Sequence, residues 1–383
     1  MKNQLKRAAA LLLAVALLAG MAACGKKEPE KWASRGQIIV FVAQDDVIPT
    51  EINQASKVLW AQFADPYALV VQRVTGDALN DSAALLALVQ KVVENQAAAQ
   101  GTIHAAIFAP GFAGTSTAAN WLQTQYPDLR VAVCQPGARA SSFAGTAALV
   151  LDFDYGAMAK AVAAQADAMG AEAFYYLTTS RTGSFEGSKT FHDVLAGECA
   201  ALGLHFSDPV VRDTLADGKE AAQADIIQCV NQADAKWPDG KFAMYSADRL
   251  ASETLAVALL QKRAILPGFS GGTPLEGIPA ALGVDMLGHE TDAAYALAQS
   301  AALAESFGLR GSIAAWQVSL PSLMLEIAVR CVNALEPGAL PTQAQVEEAF
   351  GAAKAALGGE ATMTQDAAQA NLYSFSCELK GLE

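Results

Sequence analysis

The side chains able to do chemistry in this chain sit in short polar loops. Gln44-Asp45-Asp46 offers two carboxylates, acceptors only, which suit hydroxyl or amine donors. Capping of a following helix is the alternative use of Asp45 or Asp46, as it is for Thr50. In Pro110-Gly111-Phe112-Ala113-Gly114-Thr115-Ser116, glycines allow close backbone approach, Phe112 could cover a ring, and the hydroxyls of Thr115 and Ser116 could hold a polar group. A glycine turn with a hydroxyl cap explains the same residues. Thr178-Thr179-Ser180-Arg181-Thr182 surrounds a guanidinium with short hydroxyl side chains. Its planar fork suits a carboxylate, a phosphate or vicinal hydroxyls. Solvation of Arg181, or pairing with Glu186, is the competing reading. Tyr245-Ser246-Ala247-Asp248 places an aromatic and a carboxylate three residues apart, and Asp248 is equally a helix cap. Gly271, Gly272 and Thr273 form another permissive loop, Asp285 ends an apolar run, and Trp316 either stacks on a ligand or fills a core.

These loops fall between regular elements. Apolar runs at 37–43, 67–71, 103–108, 129–133 and 147–154 alternate with amphipathic stretches at 49–63, 82–98, 116–124 and 155–169. Continuous rather than alternating apolar runs are strands buried on both faces, and helices between them imply a parallel sheet with crossovers. The rhythm repeats with strands expected at 173–178, 206–211, 242–245, 265–269 and 281–286. Helices are expected near 188–202, 221–232, 249–263 and 293–307. Further helices at 320–335 and 343–357 precede a last apolar run at 372–377. The fold class is therefore α/β, with two doubly wound lobes, since a chain this long exceeds one ordinary core. The first lobe is placed at 36–150 plus about 310–335 and the second at 151–309, with 336–383 assigned to neither. The polar loops then lie where strands give way to helices, the usual place for ligands in open parallel sheets.

Several chemistries find no support. The loop after the first strand holds no glycine, unlike a nucleotide-binding turn, and Gly183-Ser184-Phe185-Glu186-Gly187 has serine in the wrong place for a nucleophile elbow. Asp152 and Asp154 flank Phe153 and read as polar contacts between lobes rather than an acid/base pair. The four histidines have no metal spacing. Cys134, Cys199, Cys229, Cys331 and Cys377 are widely spaced and odd in number, and read as small core residues, with one disulfide left open. No cofactor, metal or catalytic residue is expected, and a metal-free extracellular hydrolase is the less favoured alternative. The net charge of −13 argues against nucleic acid as a partner.

The first residues have the three-part pattern of a secretory signal: Lys2, Lys6 and Arg7, then Ala8 to Ala19, then Gly20, Ala22 and Ala23. Met21-Ala22-Ala23-Cys24 resembles the lipobox of bacterial lipoproteins, although Met21 stands where leucine is usual. That resemblance implies removal of residues 1–23, acylation of Cys24, and residence on the outer face of the cell membrane. Residues 24–35 would be a flexible tether, and the formal charge would move from −13 to −16 with the loss of three positive charges.

Leader, tether and two successive α/β halves together resemble the type I periplasmic substrate-binding proteins. The wording Phe108-Ala109-Pro110-Gly111-Phe112-Ala113-Gly114 and Tyr175-Tyr176-Leu177-Thr178-Thr179-Ser180 is similar to an uncharacterised family of bacterial lipoproteins within that superfamily. The resemblance implies lobes that close on a small molecule. It also implies a monomer that works with an ABC-type permease or, alternatively, with a membrane receptor. Asp45, Asp46, Phe112, Thr115, Thr179, Arg181, Tyr245, Asp248, Asp285 and Trp316 are the candidate ligand contacts. Carboxylates with aromatics suit a sugar or nucleoside, whereas Arg181 alone would suit an amino acid or another anion.

Overall fold

The computed structural model describes residues 31–44, 50–137 and 139–382; the leader, Cys24, Asp45 and Asp46 lie outside them. The first strand, β1 (Gln37–Ala43), shows why its run has no polar interruption. Ile38, Val40 and Val42 face one buried layer, and Ile39, Phe41 and Ala43 face another. Around it β2 (Leu69–Val74), β3 (Ile103–Phe108), β4 (Arg130–Cys134) and β5 (Leu149–Phe153) run parallel. Helices α1 (Thr50–Trp60), α2 (Ser82–Gln100) and α3 (Thr115–Gln125) make the crossovers, α1 on one face and α2 and α3 on the other.

The second lobe begins with α4 (Tyr155–Ala168), followed by β6 (Ala173–Leu177), α5 (Glu186–Leu202), β7 (His205–Ser207), α6 (Lys219–Lys236), β8 (Phe242–Ser246) and α7 (Ser252–Lys262). Here β6 lies between β7 and β8, all parallel. The sheet continues through bridges from Ala243 to Ile265 and from Leu266 to Ile313. After the short α8 (Ile278–Leu282) and α9 (Ala293–Ser306), β9 (Ala314–Trp316) completes this stretch.

The chain then returns to the first lobe as α10 (Leu320–Ala334), which packs on β3, β4, β5 and α1. Next come α11 (Gln343–Leu357), β10 (Ala361–Gln365) and β11 (Leu372–Cys377). β11 runs parallel to β5 and antiparallel to β10, giving a seven-stranded sheet in the order β10-β11-β5-β4-β3-β1-β2. Finally β12 (Leu379–Gly381) pairs with β9 in the second lobe. The chain thus passes between lobes three times, at 153–155, 316–320 and 377–379. One core cluster runs through these passages, joining Ile38 and Val40 of the first lobe to Phe174 and Tyr176 of the second.

Four strand assignments change. β2 starts at Leu69 rather than Tyr67, because Asp65 turns the chain there and accepts the Tyr67 amide at 2.9 Å. The run at 206–211 stops pairing as a strand after Ser207, before Pro209, which has no amide to give, and resumes only as a bridge from Val210 to Thr178. The run at 265–269 contributes two bridging residues. No strand forms at 281–286: Pro279 begins the helical turn of α8 and Gly283, at φ 79°, ends it. The place expected for that strand goes to Ile313 and β9, so the return to the first lobe comes at Leu320 rather than near 310. No helix among the described residues is long and apolar enough to cross a membrane.

Candidate functional site

The carboxyl ends of β6 and β8 bring Arg181, Thr179, Asp213 and Asp248 together. The amide of Thr178 bonds Pro209 and its carbonyl receives the Val211 amide, which carries Asp213 alongside Thr179. The Thr179 hydroxyl donates to Asp213 Oδ2 at 2.7 Å, and Arg181 Nε donates to the same oxygen at 3.0 Å. Asp213 Oδ1 accepts the amides of Leu215 and Ala216. Burial opposes its charge, but Thr179, Arg181 and those amides outweigh it and hold its carboxyl below the usual range.

Asp248 is held differently. One oxygen, Oδ1, accepts the Leu250 amide and lies 3.2 Å from Arg181 Nη2. The residue is only 2% exposed, and burial pushes its carboxyl up despite the nearby guanidinium. Its other oxygen, Oδ2, is buried without a hydrogen-bond partner, and Arg181 Nη2, also buried, has only the ion pair with Oδ1. Unsatisfied buried polar atoms are costly and uncommon. An acceptor and a donor thus stand side by side with capacity left, a pattern that matches neighbouring hydroxyls on one small molecule.

Beside this cluster the Arg181 guanidinium lies 6.0 Å from the Phe185 ring centre. Phe185 lines a groove of about 330 Å³ between the lobes, with Gly137 and Arg139 from the first and Ser184, Glu186, Lys189 and Asp193 among those from the second. Arg139 and Glu186 approach to 3.6 Å across it, both well exposed. Its rim therefore carries charges of both signs, and the guanidinium and buried carboxylate lie behind one aromatic ring.

A second polar cluster joins the lobes. Glu51, in the first turn of α1, accepts hydrogen bonds from Ser319, from Ser322 at 3.1 Å and from Thr273 at 2.9 Å. Thr273 belongs to the second lobe, as do Arg249 and Glu276. Arg249 grips Glu276 with two hydrogen bonds, the one from Nε measuring 2.5 Å, and its Nη2 lies 3.8 Å from Glu51. Burial and the neighbouring Glu51 carboxylate push Glu276 up to about 8, against the pull of Arg249.

The other sequence candidates have structural duties. Phe112 packs in the first-lobe core, and Thr115 Oγ1 accepts the Phe112 amide at 2.7 Å. Gly111 and Gly114 serve close packing: a Cβ on Gly111 would stand 2.7 Å from the Pro136 carbonyl oxygen, and one on Gly114, at φ 85°, would stand 2.5 Å from Ser82. Tyr245 stacks on Phe191 at 4.9 Å and donates to the Phe269 carbonyl. Trp316 is fully buried and its indole N–H donates to the same carbonyl at 2.7 Å, so it fills the hinge and has no face for a ligand. Asp285 is corrected with its strand: it is exposed in a loop, where Oδ1 accepts the Leu287 amide. Asp45 and Asp46 lie outside the described residues.

Sequence reasoning missed Asp213, Glu51, Arg249 and Glu276. The signals present were the place of Asp213 two residues beyond an apolar run, and of Arg249 directly after Asp248. Asp154 caps α4, while the half-buried Asp152 accepts the Phe153 amide and is pushed up to about 7 by burial. No group that could hold a metal occurs among the described residues. Cys134, Cys199, Cys331 and Cys377 are buried free thiols and Cys229 is half-buried.

Two lobes of parallel sheet, three passages between them and polar loops facing across a groove define the type I periplasmic-binding fold. The chain belongs to the family described as "Protein of unknown function (DUF3798)", whose match spans residues 77–314. Solved structures support the fold assignment. A protein from Clostridium difficile 630, provisionally described as a transcriptional regulator, superposes with a TM-score of 0.69 at 11% identity, over 92% of this chain and 99% of that one. A sugar ABC transport substrate-binding protein from Bordetella parapertussis 12822 gives 0.54 at 11% identity, over 93% and 92%. An ABC transporter solute-binding protein from Clostridium phytofermentans with bound L-rhamnose gives 0.50 at 10% identity, over 91% and 95%. No curated protein matches the sequence.

Proposed function

We propose that the chain is a lipid-anchored solute-binding protein on the outer face of the cell membrane. It captures a small polar molecule, a sugar or nucleoside, between its lobes and delivers it as a monomer to an ABC-type importer. The observation that carries the ligand reading is the partnerless Asp248 Oδ2 beside Arg181 Nη2, whose ion pair with Oδ1 leaves donor capacity, near the groove at Phe185. An acceptor and a donor together suit adjacent hydroxyls, whereas an anionic ligand would meet repulsion from Asp248 as well as attraction from Arg181. The likeness to sugar-binding transport proteins supports the same direction, and the Cys24 motif supports the location.

The test is a thermal-shift screen against sugars, nucleosides and amino acids, since a ligand of the folded state alone raises its melting temperature. A sugar or nucleoside should stabilise the protein, and Asp248→Asn and Arg181→Ala should each weaken it by at least about tenfold, ~1.4 kcal/mol. Response to amino acids alone would overturn the ligand class, and a ligand indifferent to both substitutions would overturn the site. Sensing on behalf of a membrane receptor is the second reading, since lobes that close on a ligand can report occupancy as well as deliver it. A permease gene beside this one supports import, and a receptor kinase gene supports sensing.

A further inference from the structure

At the pole of the first lobe opposite the groove, aromatic side chains stand out from the surface. Trp60, the last residue of α1, is 45% exposed, and Tyr67 is 62% exposed. They belong to one patch, because Trp60 Nε1 donates to the Pro66 carbonyl at 2.8 Å. Pro66 and Ala64 between them are exposed as well. Lys57, one helical turn before Trp60, and Asp65 are also exposed there, so the patch carries both signs of charge.

The chain joins the lobe beside this patch. Trp32 donates its amide to the Gln62 carbonyl at 2.7 Å and accepts the Ala64 amide at 3.0 Å. Its ring packs edge-on against Phe63 at 5.4 Å and lies under the Arg330 guanidinium at 4.6 Å. Asn333 binds the Ala33 carbonyl and Arg35 pairs with Glu336, which fastens the next residues to α10 and the loop after it. The point where any tether begins is therefore fixed, next to Trp60 and Tyr67.

We propose that this aromatic face rests on the lipid headgroups of the membrane that holds the anchor. The inference depends on the proposed acylation of Cys24. Trp32 lies eight residue steps after Cys24, a reach of at most about 28 Å when fully extended. Trp and Tyr favour the membrane–water boundary, where their apolar rings and polar tips are both satisfied. Lys57 and Asp65 suit zwitterionic headgroups, which present both charges. The acidic body disfavours adsorption from solution onto anionic lipid, but a short tether raises the local concentration to the millimolar range. A contact too weak to recruit the protein then suffices to orient it. The groove, at the other end of the strands, faces away from the bilayer.

The test uses the full acylated chain on phosphatidylcholine vesicles with bromine on the acyl chains near the headgroups, which quenches nearby tryptophan. Flotation reports anchoring, and quenching reports contact. Wild type should float and be quenched, and Trp60→Phe should float equally but lose most of the quenching. Cys24→Ser should not float. Failure of the wild type to float would overturn the lipid anchor and this proposal with it. Flotation with equal quenching in wild type and Trp60→Phe, or with none in either, would overturn the membrane contact alone and leave the face to a protein partner.

Discussion

Glu276 sits where two carboxylates compete for one guanidinium, and its proton has a consequence for stability. Its ordinary value near 4.5 rises to about 8 through burial first, with Glu51 adding to it. The folded protein therefore binds this proton more tightly than the unfolded chain. The stabilisation is complete below about pH 4.5, falls as pH rises from there, and is lost above about 8. Melting temperatures measured from pH 5 to 8 should fall more steeply for wild type than for Glu276→Gln, and parallel curves would contradict this. Neither Glu276 nor Glu51 was legible in the sequence: the partners of Glu51 lie more than 200 residues away, and Glu276, 27 residues from Arg249, sits in an irregular loop with no strand or helix to mark it. Arg181 and Asp248 were legible as candidates, since each follows a recognisable strand. Their mutual approach was not, because it depends on Asp213, held by the irregular stretch after β7.

Among elements, the long central strands were read closely because burial on both faces leaves a continuous apolar signature. The expected strands at 37–43 and 103–108 form over those residues. The second sheet was harder to read past β8, where bridges of one or two residues replace full strands and a proline turns an apolar run into helix. The first turn of α1 matters most for the junction between lobes. Parting the lobes separates Glu51 from Thr273 and Arg249 while it keeps Ser319 and Ser322 on its own side. Glu51→Ala leaves the buried hydroxyls of Ser319, Ser322 and Thr273 without their acceptor while Arg249 keeps Glu276, and an unsatisfied buried donor typically costs ~1–3 kcal/mol. Denaturant unfolding should register a loss of that order. Small-angle scattering of the folded variant should give a larger radius of gyration than wild type; an unchanged radius would argue that Glu51 does not hold the lobes together.

At the scale of the whole molecule, the lobes share a core through the hinge, where Trp316 lies fully buried between them. They also share the final stretch of described chain. β11 stands between β5 and β10 in the first sheet, and β12 pairs with β9 in the second lobe. Two sheets thus draw on residues 372–381. A chain stopped after Asn371 should lose the cooperative unfolding transition of both lobes by circular dichroism, whereas survival of one intact lobe would show that they mature separately. The consequence concerns the order in which the polypeptide is made. A growing chain has nearly all of both lobes available early, yet can seal neither until the same ten residues emerge. Neither lobe can close before those residues are in place, so the two halves set together rather than one after the other.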